Sequence, residues 1–467
     1  MQKNIVSYKF YFGDLVENEI SKNIFRLYDI RGVAHEELTP DAVNTIGKAY
    51  GTYMRSMGYN TITVGRDNRA SSDEFYNLLS EGITSTGCNV INLGTVPTPL
   101  LYFSLFHLKP DGGIMITGSH NPPEYNGLKI CVGKDTIFGE EIQKIRKVCE
   151  EGNFYQGTGK IEDADVITPY KKLLLEKFQF KKNIKVVVDG GNGVAGTVVP
   201  ALFGKLDCDF IPLYCELDSR YPNHHPDPTV AENLQDLIKS VKENKADAGI
   251  AFDGDVDRIG IVDEQGNIVW GDKLLVLYSR DVLKRHPRAS VIFEVKCSQT
   301  LYDDIKKNGG KPVMCAAGYS IIKGEMKKEK ALLAGEMSGH MFFADEYLGY
   351  DDAIYAACRF IRILSESGKS VSQLLKDVPK TFSTPEIRVD CPDDEKFEVV
   401  KKVAADLKKD FKTVDIDGVR IIYEHGWGLV RASNTQPVLV LRFEADSEEN
   451  LNYVKNIIES KLKEYLR

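Results

Sequence analysis

Residues 248–258 read AGIAFDGDVDR, a short apolar run from Ala248 to Phe252 that breaks into Asp253, Asp255 and Asp257 and closes on Arg258. An apolar run of this length, bounded by turn residues, suits a strand buried on both faces. The same layout stands elsewhere in the chain. KVVVDGGNG (185–193) precedes it, ITVGRDNR (62–69) and GIMITGSHNP (113–122) form an earlier pair, and VIFEVKCS (291–298) and ALLAGEMSGH (331–340) a later one. Three times a strand leads into a polar loop, a helical stretch follows, and a second strand delivers another polar loop. Helical patterns at 41–57, 230–244 and 351–365 fit that scheme. Strands alternating with helices imply α/β layers with mixed or largely parallel sheets.

Working outward, three consecutive similar α/β domains are expected, followed by a smaller α+β domain. The last block carries the strand pattern Val438–Phe443 and an amphipathic helix with Leu451, Val454, Ile458 and Leu462 on one face. Polar stretches at 150–165, 263–272 and 378–384 suggest domains at 1–162, 163–267, 268–379 and 380–467. Open α/β sheets bind ligands outside the carboxyl ends of their strands, so domains set around a central cleft would turn all these loops toward one ligand.

Composition narrows the function. The 467 residues are 42% hydrophobic and 27% charged with a net charge of −8, which excludes a disordered or collagenous chain. A net acidic chain without a long basic run is a poor partner for nucleic acid or anionic membrane. The N-terminus, MQKNIVSYKFYFGDL, lacks the apolar core of a signal peptide, and no stretch reaches the roughly 20 apolar residues that span a bilayer. The nine cysteines are scattered without a C-x-x-C pair, so reduced thiols in a cytoplasmic protein are expected.

Alternating carboxylates at 253, 255 and 257 make a hard, oxygen-rich site suited to magnesium or calcium. An EF-hand does not fit, because Arg258 stands where its loop needs glycine and a strand, not a helix, precedes the loop. In Thr117-Gly118-Ser119-His120-Asn121-Pro122, Ser119 sits where a turn would present its hydroxyl, and beside a magnesium loop it becomes a candidate phosphoryl acceptor and donor. Glu336 and Ser338 in GEMSGH can meet a vicinal diol, and His340 can act as a general acid or base near neutrality. Arg431, Ser433, Asn434 and Thr435 form a plausible phosphate-monoester pocket. One motif competes. Gly191-Asn192-Gly193-Val194-Ala195-Gly196 matches G-x-G-x-x-G after a strand, which supports an NAD-dependent dehydrogenase as an alternative. His224 and His225 are not expected to chelate metal, since adjacent side chains of an extended segment diverge.

Taken together, TGSHNPPEYNGLKI, DGDVDRIG, GEMSGH and GLVRASNTQPVLVLRFEA occur in the order found in the α-D-phosphohexomutases. From about Phe25 to the C-terminus the chain resembles that family, most closely its bacterial phosphomannomutase/phosphoglucomutase branch. The resemblance implies four domains around a cleft, with Ser119 as the phosphorylated serine and Ser119, Asp253, Asp255 and Asp257 holding one magnesium ion. Arg31, His120, Asn121, Lys129 and Arg258 would surround the phosphoserine, with Tyr28 and Arg31 lining the cleft. Lys296, Glu336 and Ser338 would contact the sugar, His340 would serve as acid or base, and Arg431, Ser433, Asn434 and Thr435 would hold the non-reacting phosphate. The implied reaction interconverts hexose 1- and 6-phosphates, with glucose 1,6-bisphosphate or mannose 1,6-bisphosphate as intermediate and activator.

Tyr319 departs from the family's Gly-His-Ser pattern. A phenol titrating near 10 is a poor neutral-pH proton shuttle, which moves the acid/base role toward His340 and Lys129 and leaves Tyr319 as a ligand contact. Phosphoglucosamine mutase and a non-catalytic sugar-phosphate sensor are the remaining alternatives. A cytoplasmic monomer acting on small hexose phosphates is expected.

Overall fold

The computed structural model describes residues 20–433 and 437–466. The strands of the described residues form four sheets, and the first three repeat one pattern. In the first, Thr61–Arg66 pairs in parallel with both Asn89–Thr95 and Gly112–Ile116, and Tyr125–Val132 returns antiparallel to the latter. The second does the same with Lys185–Asp189, Asp209–Leu213, Ala248–Phe252 and Ile259–Asp263. The third uses Ser290–Glu294, Lys311–Cys315, Leu333–Gly335 and Met341–Phe343. Residues 117–124, 253–258 and 336–340 therefore occupy one topological position, between the third parallel strand and its antiparallel return. The mixed α/β repeat read from the sequence is the architecture of the chain.

Gly112–Ile116 and Ala248–Phe252 are buried at every residue, as strands covered on both faces must be. Helix Pro40–Ser56 starts where Thr39 accepts the Ala42 N–H at 3.2 Å, with Pro40 in the first turn, where no N–H is needed. The pattern at 230–244 resolves into a 3-10 turn, Ala231–Leu234, and a helix, Gln235–Asn244. That at 351–365 becomes helix Ala353–Ser367, shifted because Asp352 serves as its extended N-cap.

The fourth sheet is antiparallel throughout, its central strands Val419–Tyr423, Gly426–Ala432 and Val438–Ala445 pairing in turn. Helices Lys396–Asp410 and Glu448–Tyr465 pack on it, the latter through Val454, Ile458 and Leu462. One apolar core runs through the first three domains, from Leu100 and Leu105 to Ile250, Leu277 and Ile361. The fourth keeps its own core and meets the third through Val295, Trp427 and Leu429.

The glycine motif at 191–196 does not form a dinucleotide site. A Cβ at Gly193 would lie 2.7 Å from the Gly254 carbonyl oxygen, one at Gly196 would lie 1.9 Å from that of Cys215, and the Val194 N–H already donates to Gly254 O at 3.1 Å. These glycines bring two backbones together instead of opening a pyrophosphate cradle, which overturns the dehydrogenase alternative. No disulfide forms among the nine cysteines. No helix among the described residues is long and apolar enough to cross a membrane.

Candidate active site

Ser119 leaves the end of strand Gly112–Ile116 with φ +49, a left-handed conformation unusual for a residue with a side chain. Its N–H donates to Thr117 Oγ1 at 2.8 Å, and its buried hydroxyl donates to Asp253 Oδ2 at 2.9 Å. The loops of the first two domains meet without side chains between them: a Cβ at Gly254 would stand 2.6 Å from Ser119 O. Asp253 Oδ1 accepts the N–H groups of Asp257 and Arg258, both at 3.1 Å, which curls the loop around its own first carboxylate. Val256 takes φ +67, strained for a β-branched residue, so that the alternating aspartates turn to one side.

Asp253, Asp255 and Asp257 are fully buried, and one carboxylate oxygen from each lies within 4.8 Å of the others. Lys129 Nζ, buried with them, donates to Asp255 Oδ2 at 2.7 Å and Asp257 Oδ2 at 2.5 Å, and Thr98 Oγ1 donates to Asp255 Oδ2 at 2.5 Å. Burial, then the Asp257 and Asp255 charges, push the Asp253 carboxyl well above its usual range. At Asp255 and Asp257 burial is the largest influence and opposes ionisation, but Lys129, together with the Thr98 hydroxyl at Asp255 and with His340 and Arg258 at Asp257, holds both below the usual range. Burial would discharge Lys129, yet the surrounding carboxylates hold it charged well beyond the normal lysine range. Among the described residues, three carboxylates thus face two cations, Lys129 and Arg258, and the buried oxygens Asp255 Oδ1 and Asp257 Oδ1 have no hydrogen-bond partner. An all-oxygen donor set with residual negative charge and orphaned acceptors fits a hard divalent cation. The proton-transfer task expected of Lys129 does not fit a paired ammonium.

Arg258 Nε donates to His340 Nε2 at 3.0 Å. A guanidinium can only donate, so Nε2 carries the lone pair and the ring proton sits on Nδ1, which faces Asp351 Oδ2 at 3.1 Å and Asp257 Oδ1 at 3.6 Å. His120 is held neutral, its pKa driven well down by burial and by Arg258 and Arg31. Arg31 ties Asn121 Oδ1 at 2.7 Å to Asp29 Oδ2 at 2.6 Å. The Tyr319 hydroxyl donates to Tyr28 O at 2.9 Å while Tyr28 Oη donates to Ala317 O at 2.6 Å, so the two tyrosines tie the first and third domains together, and Tyr319 keeps only its oxygen lone pairs for the ligand contact expected of it. Burial, then Asp29, pushes the Tyr319 phenol well up, so it holds its proton.

Glu336 accepts the Gly318 N–H at 2.8 Å on Oε1 and the Ser338 hydroxyl at 2.9 Å on Oε2. Its Oε2 stands 3.9 Å from His340 Nε2, which joins the third domain's loop to the aspartate loop. Lys296 pairs with Glu386 at 3.2 Å, and that contact first of all lowers the Glu386 carboxyl to about 2. Arg431 lies buried on strand Gly426–Ala432 with Nε bonded to Asp417 Oδ2 at 2.8 Å. Asp417 Oδ2 also accepts the Ala317 N–H at 3.1 Å, so the fourth domain reaches the same junction as Tyr28. Ser433 is buried, while Asn434 and Thr435 lie outside the described residues.

Sequence reasoning missed several supports. Thr98 holds Asp255, Asp351 faces His340, and His225 Nε2 contacts His120 O from the second domain. His224 turns the other way, to Asp189 Oδ2 at 2.9 Å, so the adjacent histidines diverge as expected.

The chain matches four domain families in succession, described as phosphoglucomutase/phosphomannomutase alpha/beta/alpha domains I (residues 22–156), II (168–266) and III (270–382) and the C-terminal domain (386–461). It is 46% identical over 442 residues to a Pseudomonas aeruginosa phosphomannomutase/phosphoglucomutase, covering 94% of this chain and 96% of that protein. A Neisseria gonorrhoeae phosphoglucomutase is 42% identical over 442 residues, covering 94% and 96% respectively. A crystal structure of a phosphoglucomutase/phosphomannomutase family protein from Burkholderia thailandensis superposes with TM-score 0.90 at 39% identity, over 96% of this chain and 98% of that one. With the serine loop, the buried aspartates and the three repeated domains on one chain, the protein belongs to the phosphoglucomutase/phosphomannomutase family of the α-D-phosphohexomutase superfamily.

Proposed function

We propose that this protein is a phosphomannomutase/phosphoglucomutase that interconverts hexose 1-phosphates and hexose 6-phosphates. The observation that carries the reading is the Ser119 hydroxyl, buried and 2.9 Å from Asp253 Oδ2 at the edge of the triple-aspartate loop. In its working form Ser119 carries a phosphate. The sugar's free hydroxyl attacks that phosphorus, the Ser119 Oγ–P bond breaks, and a hexose 1,6-bisphosphate results. The bisphosphate turns end for end, and Ser119 Oγ takes the other phosphate back. Asp253, Asp255 and Asp257, with the Ser119 oxygen, would hold one magnesium ion, which when bound supplies neutralisation of charge on the transferring phosphoryl group.

Arg31, Lys129 and Arg258 add fixed positive charge around that group, as dipoles and cations placed in advance lower the cost of charge movement. His340 Nε2 offers the lone pair that takes the sugar hydroxyl's proton once Arg258 yields it. Asp351 Oδ2, 3.1 Å from Nδ1, faces the protonated side of the ring. Glu336 and Ser338 read sugar hydroxyls, with Lys296 beside them, and Tyr28 lines the cleft. Arg431 and Ser433, with Asn434 and Thr435, hold the phosphate that is not reacting. The sheets support domains divided near residues 162, 267 and 379. Four domains of one chain surround the site, which supports a monomer, and the nine unpaired thiols support a cytoplasmic setting.

Coupled turnover of glucose 1-phosphate and mannose 1-phosphate, with magnesium and glucose 1,6-bisphosphate present, tests the reading. Ser119→Ala is expected to abolish both activities. Alanine-variant turnover at the parent rate, or a parent protein inert on both sugars, refutes it.

A further inference from the structure

We infer that Arg69 is a positioning residue for phosphoryl transfer at Ser119, an inference that rests on the mutase reading above. Arg69 lies just past strand Thr61–Arg66, outside the loops that carry the chemistry. A guanidinium has five N–H donors in one plane, and here each has an acceptor. Nη1 donates to Pro122 O at 2.5 Å and Tyr125 O at 2.9 Å, Nη2 to Ser119 O at 2.8 Å and Asn121 O at 2.6 Å, and Nε to Asp67 Oδ2 at 3.2 Å. Three carbonyls of the serine loop, and that of Tyr125 where the return strand begins, therefore converge on one cation.

The cation is enclosed. The Arg69 side chain has 0% exposure, and the ring centroid of Tyr221, from the second domain, lies 5.7 Å from its Cζ. Asp67 completes the clamp: Oδ1 accepts the Arg69 N–H at 3.0 Å and Oδ2 accepts the Gly118 N–H at 3.1 Å. Residue 118 has no room for a side chain, since a Cβ there would sit 2.4 Å from Arg69 Cζ.

The clamp answers two local problems. Carbonyl dipoles aimed into a dry interior repel one another unless a donor meets each of them. Ser119 also holds a left-handed φ that the chain alone does not favour. By fixing the carbonyls of Ser119 and Asn121, the guanidinium fixes where Ser119 Oγ stands relative to Asp253. The residues proposed to bind the sugar and its distal phosphate are on other loops. Loosening the clamp therefore acts on the transfer step and spares substrate binding. Lysine keeps the charge but has only three donors and no planar fork, so it cannot replace the arginine.

The test compares the full-length parent with Arg69→Lys and Arg69→Ala, and with Arg66→Lys as control, since Arg66 bonds Asp73 and Asn92 away from the serine loop. Assays contain magnesium, glucose 1-phosphate and glucose 1,6-bisphosphate. Both Arg69 variants are expected to melt cooperatively, to lose roughly 100-fold in kcat, the scale of an ångström-sized misplacement, and to keep KM within about threefold. Millimolar guanidinium should partly restore Arg69→Ala where methylammonium does not, and Arg66→Lys should match the parent. An Arg69→Lys kcat within twofold of the parent overturns the inference. So does a loss carried by KM, or the absence of any cooperative melt in both Arg69 variants, which would make the arginine a requirement of the fold alone. A parent inert on glucose 1-phosphate here and on mannose 1-phosphate in the same coupled assay refutes the mutase reading itself, whereas an active parent with an equally active Arg69→Lys refutes only the positioning role.

Discussion

Lys129→Met isolates the electrostatics of the aspartate cluster. Methionine preserves most of the buried stem but removes the ammonium that bonds Asp255 at 2.7 Å and Asp257 at 2.5 Å. Among the described residues, the three buried carboxylates then keep Arg258 as their arginine or lysine partner. Breaking a buried ion pair by deleting one partner costs about 3–5 kcal/mol, because the remaining charge stays desolvated and unpaired. For a unit of one to two domains that corresponds to a fall in Tm of roughly 10 °C, since each kcal/mol shifts such a unit by about 2–4 °C. The pH dependence carries the sign. In the parent, Asp255 and Asp257 ionise more readily than in the unfolded chain, so they contribute stability above the unfolded pKa and lose it as pH falls. Without Lys129 burial dominates, their folded pKa values rise above the unfolded value of about 3.9, and the stability loss grows as pH rises. The deficit is therefore expected to be largest at pH 7–8 and to shrink toward pH 5. Magnesium at about 100 times its Kd adds near 2.7 kcal/mol to whichever form binds it, and the variant, with more uncompensated charge, should gain more than the parent. Differential scanning calorimetry from pH 5 to 8, in EDTA and in magnesium, reads all of this. A deficit below about 1 kcal/mol in EDTA with no pH slope would show that Lys129 does not neutralise the cluster, because a buried ion pair should be worth several times that.

Glu336→Ala should depress turnover of glucose 1-phosphate and mannose 1-phosphate together, because one carboxylate holds both Gly318 N and Ser338 Oγ; loss of a single activity in parallel assays would contradict a shared hydroxyl reader. Burial lifts the Asp352 carboxyl to about 6, against hydrogen bonds from Tyr355 N, Tyr347 and Tyr170. Its folded pKa exceeds the unfolded one, so stability falls as pH rises through that window, by up to about 3 kcal/mol for a two-unit shift. Asp352→Asn should remove that slope, and urea titrations at pH 4.5 and 7.5 giving the same parent-to-variant difference would count against it.

Much of the fold was legible because it is written locally. Apolar β-branched runs announce Val186–Val188 and Ile250–Phe252 as interior strands, and the pattern at 41–57 announces a helix, found at Pro40–Ser56. Ser119, the three aspartates, Glu336 and Arg431 were visible because each sits in a compact motif. The G-x-G-x-x-G string misled because glycine spacing reports only that backbones come close, not what they approach; at Gly193 and Gly196 they approach Gly254 and Cys215. Arg69 and Thr98 were silent because their partners lie 50 and 157 residues away, at Ser119 and Asp255.

The sequence by itself determined the strand–loop–helix order, the repeat and the inventory of reactive groups, since these depend on neighbours within a few residues. Only the tertiary structure decided their states: that Lys129 is a paired cation, that the His340 proton faces Asp351, and that the Tyr319 hydroxyl closes on Tyr28. Charge state, tautomer and hydrogen-bond direction follow from desolvation and from partners supplied by distant segments, and those are properties of the folded assembly of domains.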